Sequence, residues 1–391
     1  MFTESQKKAL QDIVDFIHSP TQTIHCLSGS PGTGKSYLVN TALPVLLEKS
    51  PYEYVVTATT NKAAALLHAK TVYKAFGITL MNDYATGQTK LNTSKLKKLY
   101  NTFLVIDEAS MIDIDLWKII TSNTCKCKIL LVGDSYQLPA VKASADVFNK
   151  YPVSQLTEVV RQRDPDFLRE ISNAKEGVIN KEMYNPNECD SIKIVRLNDK
   201  EKIRDILTSF DSKDKILTYT NPASMVYAAN VRRLQGKKGD FEVGDPVFSR
   251  NYCVSSTGST VFVEQELTID TLEDTQVINR GSVSLKVRAV SFKEVPGIFY
   301  YAVNPTEYAR ALKQSAREKD WNTYFFIKEK ILDMRNHEAC TIHCAQGSTY
   351  NRVFIDMEDI RKCKANGIRA RLLYVAISRA KNEVFLYDSA R

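Results

Sequence analysis

The sequence predicts an α/β fold built on parallel sheets covered on both faces. Three observations point there. The runs Phe103-Leu104-Val105-Ile106 and Lys128-Ile129-Leu130-Leu131-Val132 are almost wholly apolar, as strands buried on both sides are. Stretches with helical apolar spacing alternate with such runs. From about residue 241 to 293 the alternation stops. Runs such as Val261-Phe262-Val263 and Leu267-Thr268-Ile269 follow without helices between them, which reads as a small β unit inserted in the second half.

Taken in order, residues 7–17 place Ala9, Leu10, Ile13, Val14 and Ile17 at a helical period, and Pro20 ends that helix. Residues 23–27 read as a short strand, and 29–34 break the pattern with glycines. Residues 36–48 read as a helix that Pro44 shortens or kinks. A strand over 52–57 and a helix over 62–67 follow. Residues 79–100 are polar and poorly periodic. Between 84 and 102 they carry Lys90, Lys95, Lys97 and Lys98 and no acid, so they read as an insertion. A second α/β pattern begins near 215, with a strand at 216–219 and a helix at 224–234. Residues 308–335 are charged and partly helical. The α/β pattern returns with 353–355, 371–377 and 384–387.

A chain of 391 residues is long enough for two or three domains. Its 53 Lys and Arg against 45 Asp and Glu leave a net charge of +8, which permits a polyanionic partner without identifying one. No run of 18 apolar residues occurs, so a membrane span is not expected. The polar start lacks a signal-peptide core. Eight scattered cysteines read as reduced thiols of a cytoplasmic protein, with Cys125 and Cys127 packing side chains.

The sharpest motif is Gly29-Ser30-Pro31-Gly32-Thr33-Gly34-Lys35-Ser36, a complete phosphate-loop pattern between a strand and a helix. Its glycines let backbone N–H groups turn inward around phosphates, and the helix that follows presents its positive end there. Lys35 suits the β and γ phosphates of a nucleoside triphosphate, and Ser36 suits Mg²⁺. The apolar run ending in Asp107-Glu108 supplies two adjacent carboxylates. Asp107 suits the Mg²⁺ shell, and Glu108 suits polarisation of an attacking water. A third apolar run ends in Gly133-Asp134-Ser135-Tyr136-Gln137, at a strand end of the kind that lines a ligand crevice. Gln137 could reach the γ phosphate or the water; a polar turn without contact is the alternative.

With these motifs in order, the chain resembles a superfamily 1B helicase of the RecD and phage Dda kind. Gln6 matches the adenine-reading glutamine. Residues 57–67 and 71–78 resemble the next two motifs, and 156–162 a further one. Thr341-Ile342-His343-Cys344-Ala345-Gln346-Gly347-Ser348 and Tyr374-Val375-Ala376-Ile377-Ser378-Arg379-Ala380 match the last two. The resemblance implies two RecA-like motor domains with ATP between them. Domain 1A would take 1–78 and 101–160, and domain 2A 161–240 and 337–391. A 1B pin would occupy 79–100 and an SH3-like 2B module 241–336. Arg161 and Arg379 would then be arginine fingers, and Gln346 and Gly347 would join the ATP cleft to the nucleic-acid track. Thr60, Thr71, His343 and Ser348 become candidates for backbone contacts. Asn61 and Tyr73 stand where relatives carry histidines; Asn61 can still donate, and Tyr73 can stack on a base. Leu80, Met81 and Tyr84 are candidates for the separating tip, with a solvated loop as the alternative. Tyr252, Phe262 and Phe292 are expected in the 2B core.

The resemblance further implies ATP-dependent 5′ to 3′ movement on single-stranded DNA and parting of a single-strand/duplex junction, in phage replication or recombination. The expected partners are that DNA and single-strand-binding or replisome proteins, with no membrane and a functional monomer. A translocase that strips bound proteins, a nucleotide-switched loader and an RNA helicase stay open at this point.

Overall fold

The computed structural model describes residues 2–140, 143–160 and 164–389. The first sheet has six parallel strands in the order Val153–Leu156, Ile24–Gly29, Lys128–Gly133, Thr102–Asp107, Glu53–Ala58 and Lys70–Thr71. Side chains alternate across it. Phe103 and Val105 join Ile13, Leu27 and Leu38 in the core on one face, whereas Leu104 and Ile106 join Ile129, Leu131 and Trp117 on the other. Burial on both faces is why these strands lack polar alternation.

The helix Glu4–His18 opens with Thr3 as its cap: Thr3 Oγ1 accepts from Gln6 N, and Gln6 Oε1 accepts from Thr3 N. Pro44 acts less by kinking than by widening. The helix after the phosphate loop begins as Lys35–Tyr37, passes through a π turn at Leu38–Ala42 and resumes at Leu43–Leu47. A proline ring crowds the carbonyl four residues back and cannot bond to it. Leu43 accordingly donates five residues back, to Leu38 O.

The second sheet has five parallel strands in the order Ile192–Arg196, Ala380–Asp388, Tyr350–Asp356, Lys215–Thr218 and Ala339–Thr341. The apolar run at 371–377 belongs to the helix Asn366–Ile377, which buries nearly all of its second half. A helix apolar on every side is a helix packed on every side.

The third sheet holds Ile331–Leu332, Phe299–Ala302, Val283–Phe292, Glu266–Arg280, Pro246–Ser249 and Met334–Asn336. The helices Pro305–Arg317 and Trp321–Lys330 join it. Of the three aromatic residues expected in its core, only Phe292 is there. Tyr252 is 41% exposed and Phe262 42%. The reason is register. Cys253 pairs with Val261 in a short two-stranded ribbon, and both are fully buried, so their neighbours fall on the opposite face. Among the thiols, Cys127 is buried but Cys125 is exposed, so only the former packs.

A buried charge cluster ties the second and third sheets. Arg232 Nη1 lies 2.7 Å from Asp245 and 3.6 Å from Glu338, and Lys237 adds its ammonium to Asp245. Arg232→Ala leaves two buried carboxylates short of a partner. The expected loss is about 3 kcal/mol, read as a lower urea midpoint with an unchanged slope.

Residues 79–100 contain an antiparallel hairpin, Thr79–Asp83 with Gln88–Asn92. A ribbon with much of both faces in solvent has no apolar alternation, which is why its sequence looked aperiodic. The hairpin docks on the helix Trp321–Lys330. Tyr84 sets its ring edge-on to Phe325 with centroids 5.0 Å apart, Asn82 donates to Glu329, and Lys328 Nζ donates to Thr89 Oγ1 at 3.1 Å. Gly87 has φ 70°, and a Cβ there would stand 2.2 Å from the Trp321 ring. Among the described residues, no helix is long and apolar enough to cross a membrane.

Candidate functional site

The phosphate loop sits where the Ile24–Gly29 strand meets the helix that starts at Lys35. Gly34 turns with φ 89°, and the space beyond it is filled by the Gln6 amide. Gln6 is only 3% exposed, and its Nε2 donates to Thr33 O at 2.9 Å. The expected adenine reader is therefore also a brace between the first helix and the loop. Lys35 Nζ donates to Gly29 O at 2.6 Å and to Ser30 O at 3.2 Å. Burial lowers its pKa, while Asp134, Glu108 and Asp107 oppose that shift.

The two acids end the Thr102–Asp107 strand. Asp107 Oδ1 accepts from Glu108 N at 2.9 Å. Glu108 has φ 52°, an uncommon backbone for a residue with a side chain. Its carboxyl is pushed up to about 7, by burial first and then by the Asp107 carboxylate beside it. Glu108 Oε2 and Gln137 Oε1 are buried without a hydrogen-bond partner among the described residues. Ser36, Asp107, Glu108, Gly347 and Ser348 line one cleft of about 660 Å³. Ser36 offers a hydroxyl and Asp107 a carboxylate to the same cleft, hard-oxygen donors of the kind Mg²⁺ takes.

Gly347 and Ser348, in the turn after the Ala339–Thr341 strand, and Tyr350 at the start of the Tyr350–Asp356 strand close this cleft from the far side. Arg379 is 3% exposed and is held by Val375 O at 3.2 Å, Ser378 Oγ at 3.1 Å and Ser348 O at 3.4 Å. Its charge lies close enough to Glu108 to draw that carboxyl's pKa down, against burial. Arg161 lies outside the described residues. Its neighbour Val160 donates N–H to Gly32 O at 2.9 Å. Gln346 Nε2 reaches Leu138 O at 3.4 Å, and a Cβ on Gly347 would stand 3.7 Å from Glu108 Oε1.

Two residues with no role assigned from sequence complete the seam. Tyr374 OH donates to Asp134 Oδ2 at 2.8 Å and lies 2.9 Å from Ser30 Oγ in the phosphate loop. Arg371 Nη1 donates to Gln137 O at 2.6 Å and Ser135 O at 2.8 Å. They stand three apart, on one face of the helix. The available signal was a polar group at each position of an otherwise apolar run. Tyr374→Phe removes the donor from a buried carboxylate. ATP hydrolysis at saturating ATP is expected to fall about tenfold, with KM little changed, in steady-state assays.

The strip expected to meet nucleic acid follows strand ends of both sheets. Thr60 Oγ1 caps the helix Asn61–Leu66 through Ala63 N, and Thr71 Oγ1 caps Val72–Ala75 through Lys74 N. Each hydroxyl keeps its proton to donate outward. Asn61 is exposed at the helix start, while Tyr73 is half-buried against the first core. Thr59 Oγ1 donates to Glu108 O at 3.0 Å, linking this strip to the acid pair. His343 is half-buried near Tyr219, and burial lowers its pKa. Ser348 Oγ is buried without a partner among the described residues. Tyr84 is 54% exposed but has its ring on Phe325, so Leu80 and Met81 carry the free apolar surface of the hairpin.

Residues 1–196 match the AAA domain family, and residues 337–387 match the UvrD-like helicase C-terminal domain. The ATP-dependent DNA helicase PIF1 of Emericella nidulans is 30% identical over 44% of this chain, a stretch that takes in 26% of that protein. The ATP-dependent DNA helicase Pif1 of Campylobacter jejuni is 23% identical over 91% of this chain and 86% of its own length. Among solved structures, Pif1 helicase from Bacteroides in complex with ADP-AlF3 and ssDNA shares the fold. It aligns with a TM-score of 0.55 at 17% identity, over 99% of this chain and 92% of that one.

Proposed function

We propose the function from one premise: this chain belongs to the AAA domain family and, within it, to the Pif1/RecD/Dda-like helicases of superfamily 1B, and it is an ATP-dependent DNA helicase. The observation that carries the mechanism is the seam. Arg371 and Tyr374 of the second sheet's helix, and Arg379 just beyond it, meet the phosphate loop, the Gly133–Gln137 segment and Glu108 of the first. ATP bound there would touch both halves at once.

Lys35 and Arg379 hold positive charge against the phosphoryl group from opposite sides, where charge develops during transfer. Ser36 and Asp107 would hold Mg²⁺, which would supply neutralisation of phosphate charge. Glu108 orients the attacking water and takes its proton on Oε2, which has no other partner among the described residues. Loss of the γ phosphate removes what Lys35 and Arg379 share, so the seam loosens. Gln346, Thr59 and the caps at Thr60 and Thr71 pass that change to the strand ends that hold the nucleic acid.

Repeated closing and opening moves the chain along single-stranded DNA, 5′ to 3′, and the docked hairpin meets the duplex at the junction. The setting is DNA replication or recombination, as a monomer, alongside single-strand-binding or replisome proteins. The test compares ATPase with and without single-stranded DNA, and unwinding of blunt, 5′-tailed and 3′-tailed duplexes, with Lys35→Ala as control. DNA-stimulated hydrolysis and unwinding of the 5′-tailed duplex alone are expected. Preference for the 3′ tail overturns the direction. Hydrolysis without unwinding leaves a translocase that strips bound proteins.

A further inference from the structure

Tyr252 and Phe262 were expected in a core and stand outside it. They flank the ribbon in which Cys253 pairs with Val261, so they are cross-strand neighbours on the face turned away from the buried pair. Their ring centroids lie 6.0 Å apart at 54°, and Val263 beside them is exposed as well. Exposed aromatic residues set side by side are a costly feature for a soluble surface that has no partner.

The pair is held firmly. Asn251 Nδ2 donates to Lys328 O at 2.8 Å and Ile331 O at 2.9 Å, and Asn251 Oδ1 accepts from Asp333 N at 2.8 Å. Phe262 N donates to Gln265 Oε1 at 2.9 Å, and Glu264 N to Ser249 O at 2.7 Å. Both ring-bearing segments are therefore fixed at their ends, which limits the ordering cost of binding anything flat.

Its position lies between two parts of the motor. Two residues before Tyr252, Arg250 Nη1 reaches Asn221 Oδ1 at 2.6 Å and Cys344 Sγ at 3.5 Å, beside His343. On the other side Tyr252 feels the charge of Glu329, the residue that accepts from Asn82 of the hairpin. The rings thus sit between the turn that follows the Ala339–Thr341 strand and the hairpin. Arg250 and Lys328 bring positive charge to that stretch, while Lys62 is paired with Glu266 at 3.1 Å and Glu264 and Glu329 add negative charge nearby. Flat apolar rings bordered by cations suit a chain that carries both bases and phosphates.

We propose that Tyr252 and Phe262 form a stacking platform for unpaired bases of the single strand as it passes from the hairpin to the motor. The proposal rests on the reading of the chain as a DNA helicase. Among the other candidate contacts, Thr60, Thr71 and Ser348 offer hydroxyls and Asn61 and Gln346 amides, groups suited to the backbone. This pair instead grips the base faces, without regard to sequence.

The test measures fluorescence anisotropy with two labelled strands of about 15 nucleotides, one of dT and one abasic on the same backbone. The Tyr252→Ala/Phe262→Ala protein is expected to bind the dT strand about 10- to 100-fold more weakly. It should bind the abasic strand like the parent and keep the parent's DNA-free ATPase. Phe262→Trp should retain affinity, with indole emission that changes on adding dT and not on adding the abasic strand. Unchanged dT affinity in the double variant, an equal loss on both strands, or indole emission in the Phe262→Trp protein that ignores dT would overturn the platform. A parent protein that binds neither strand sinks the helicase reading itself and the platform with it.

Discussion

Arg379→Ala is expected to lower kcat for ATP hydrolysis by about 10³–10⁵-fold while ATP affinity changes little. The guanidinium is fully occupied on its own side, by Val375 O, Ser348 O and Ser378 Oγ, and faces Glu108 and the phosphate loop on the other. Those carbonyls position the charge before ATP arrives, so little reorganisation remains for the transition state. The loss should therefore fall on kcat. Arg379→Lys is expected to rescue less than tenfold, because an ammonium cannot keep three fixed donors and still face the phosphate. Single-turnover hydrolysis with separate measurement of ATP binding checks both. Equal losses in affinity and rate would show Arg379 to be a binding contact.

Glu108→Gln is expected to cost about 10²–10⁴-fold in the chemical step. The change conserves shape and removes the capacity to take a proton. The site makes the native group unusual: burial and Asp107 push its pKa up, while Arg379 and Lys35 pull it back. An acid balanced in this way is a stronger base than an exposed one and can still be ionised near neutrality. The amide variant should bind ATP and hold the seam closed. Slow release of single-stranded DNA in the presence of ATP, measured by stopped-flow anisotropy, is the accompanying signature. Fast hydrolysis by this variant would remove Glu108 from the proton path.

What was legible in the sequence is what depends on near neighbours. The phosphate loop, the Asp107-Glu108 pair and the buried strands are local statements about spacing and apolar runs, and each stands where it was expected. Gln6 was legible by position, but its brace on Thr33 requires two segments to meet. Tyr374 and Arg371 were hidden because their partners, Ser30, Asp134, Ser135 and Gln137, lie more than 200 residues away in the chain. The hairpin at 79–92 gave no period because it has little buried face. Its docking site, some 240 residues on, gave no signal at all. Tyr252 and Phe262 show the limit of composition. An aromatic residue in a small β unit is ordinarily interior, and the register set by Cys253 and Val261 decided otherwise.

The double use of Gln6 makes the start of the chain a reporter. One end of its amide closes the first turn of the helix Glu4–His18, and the other holds Thr33 in the loop that wraps phosphate. Fraying of that turn and loosening of the loop are thus one opening event, and a ligand that binds only the closed form suppresses both by mass action. Deuterium uptake at the backbone amides of residues 4–8 is expected to slow when ATP is added.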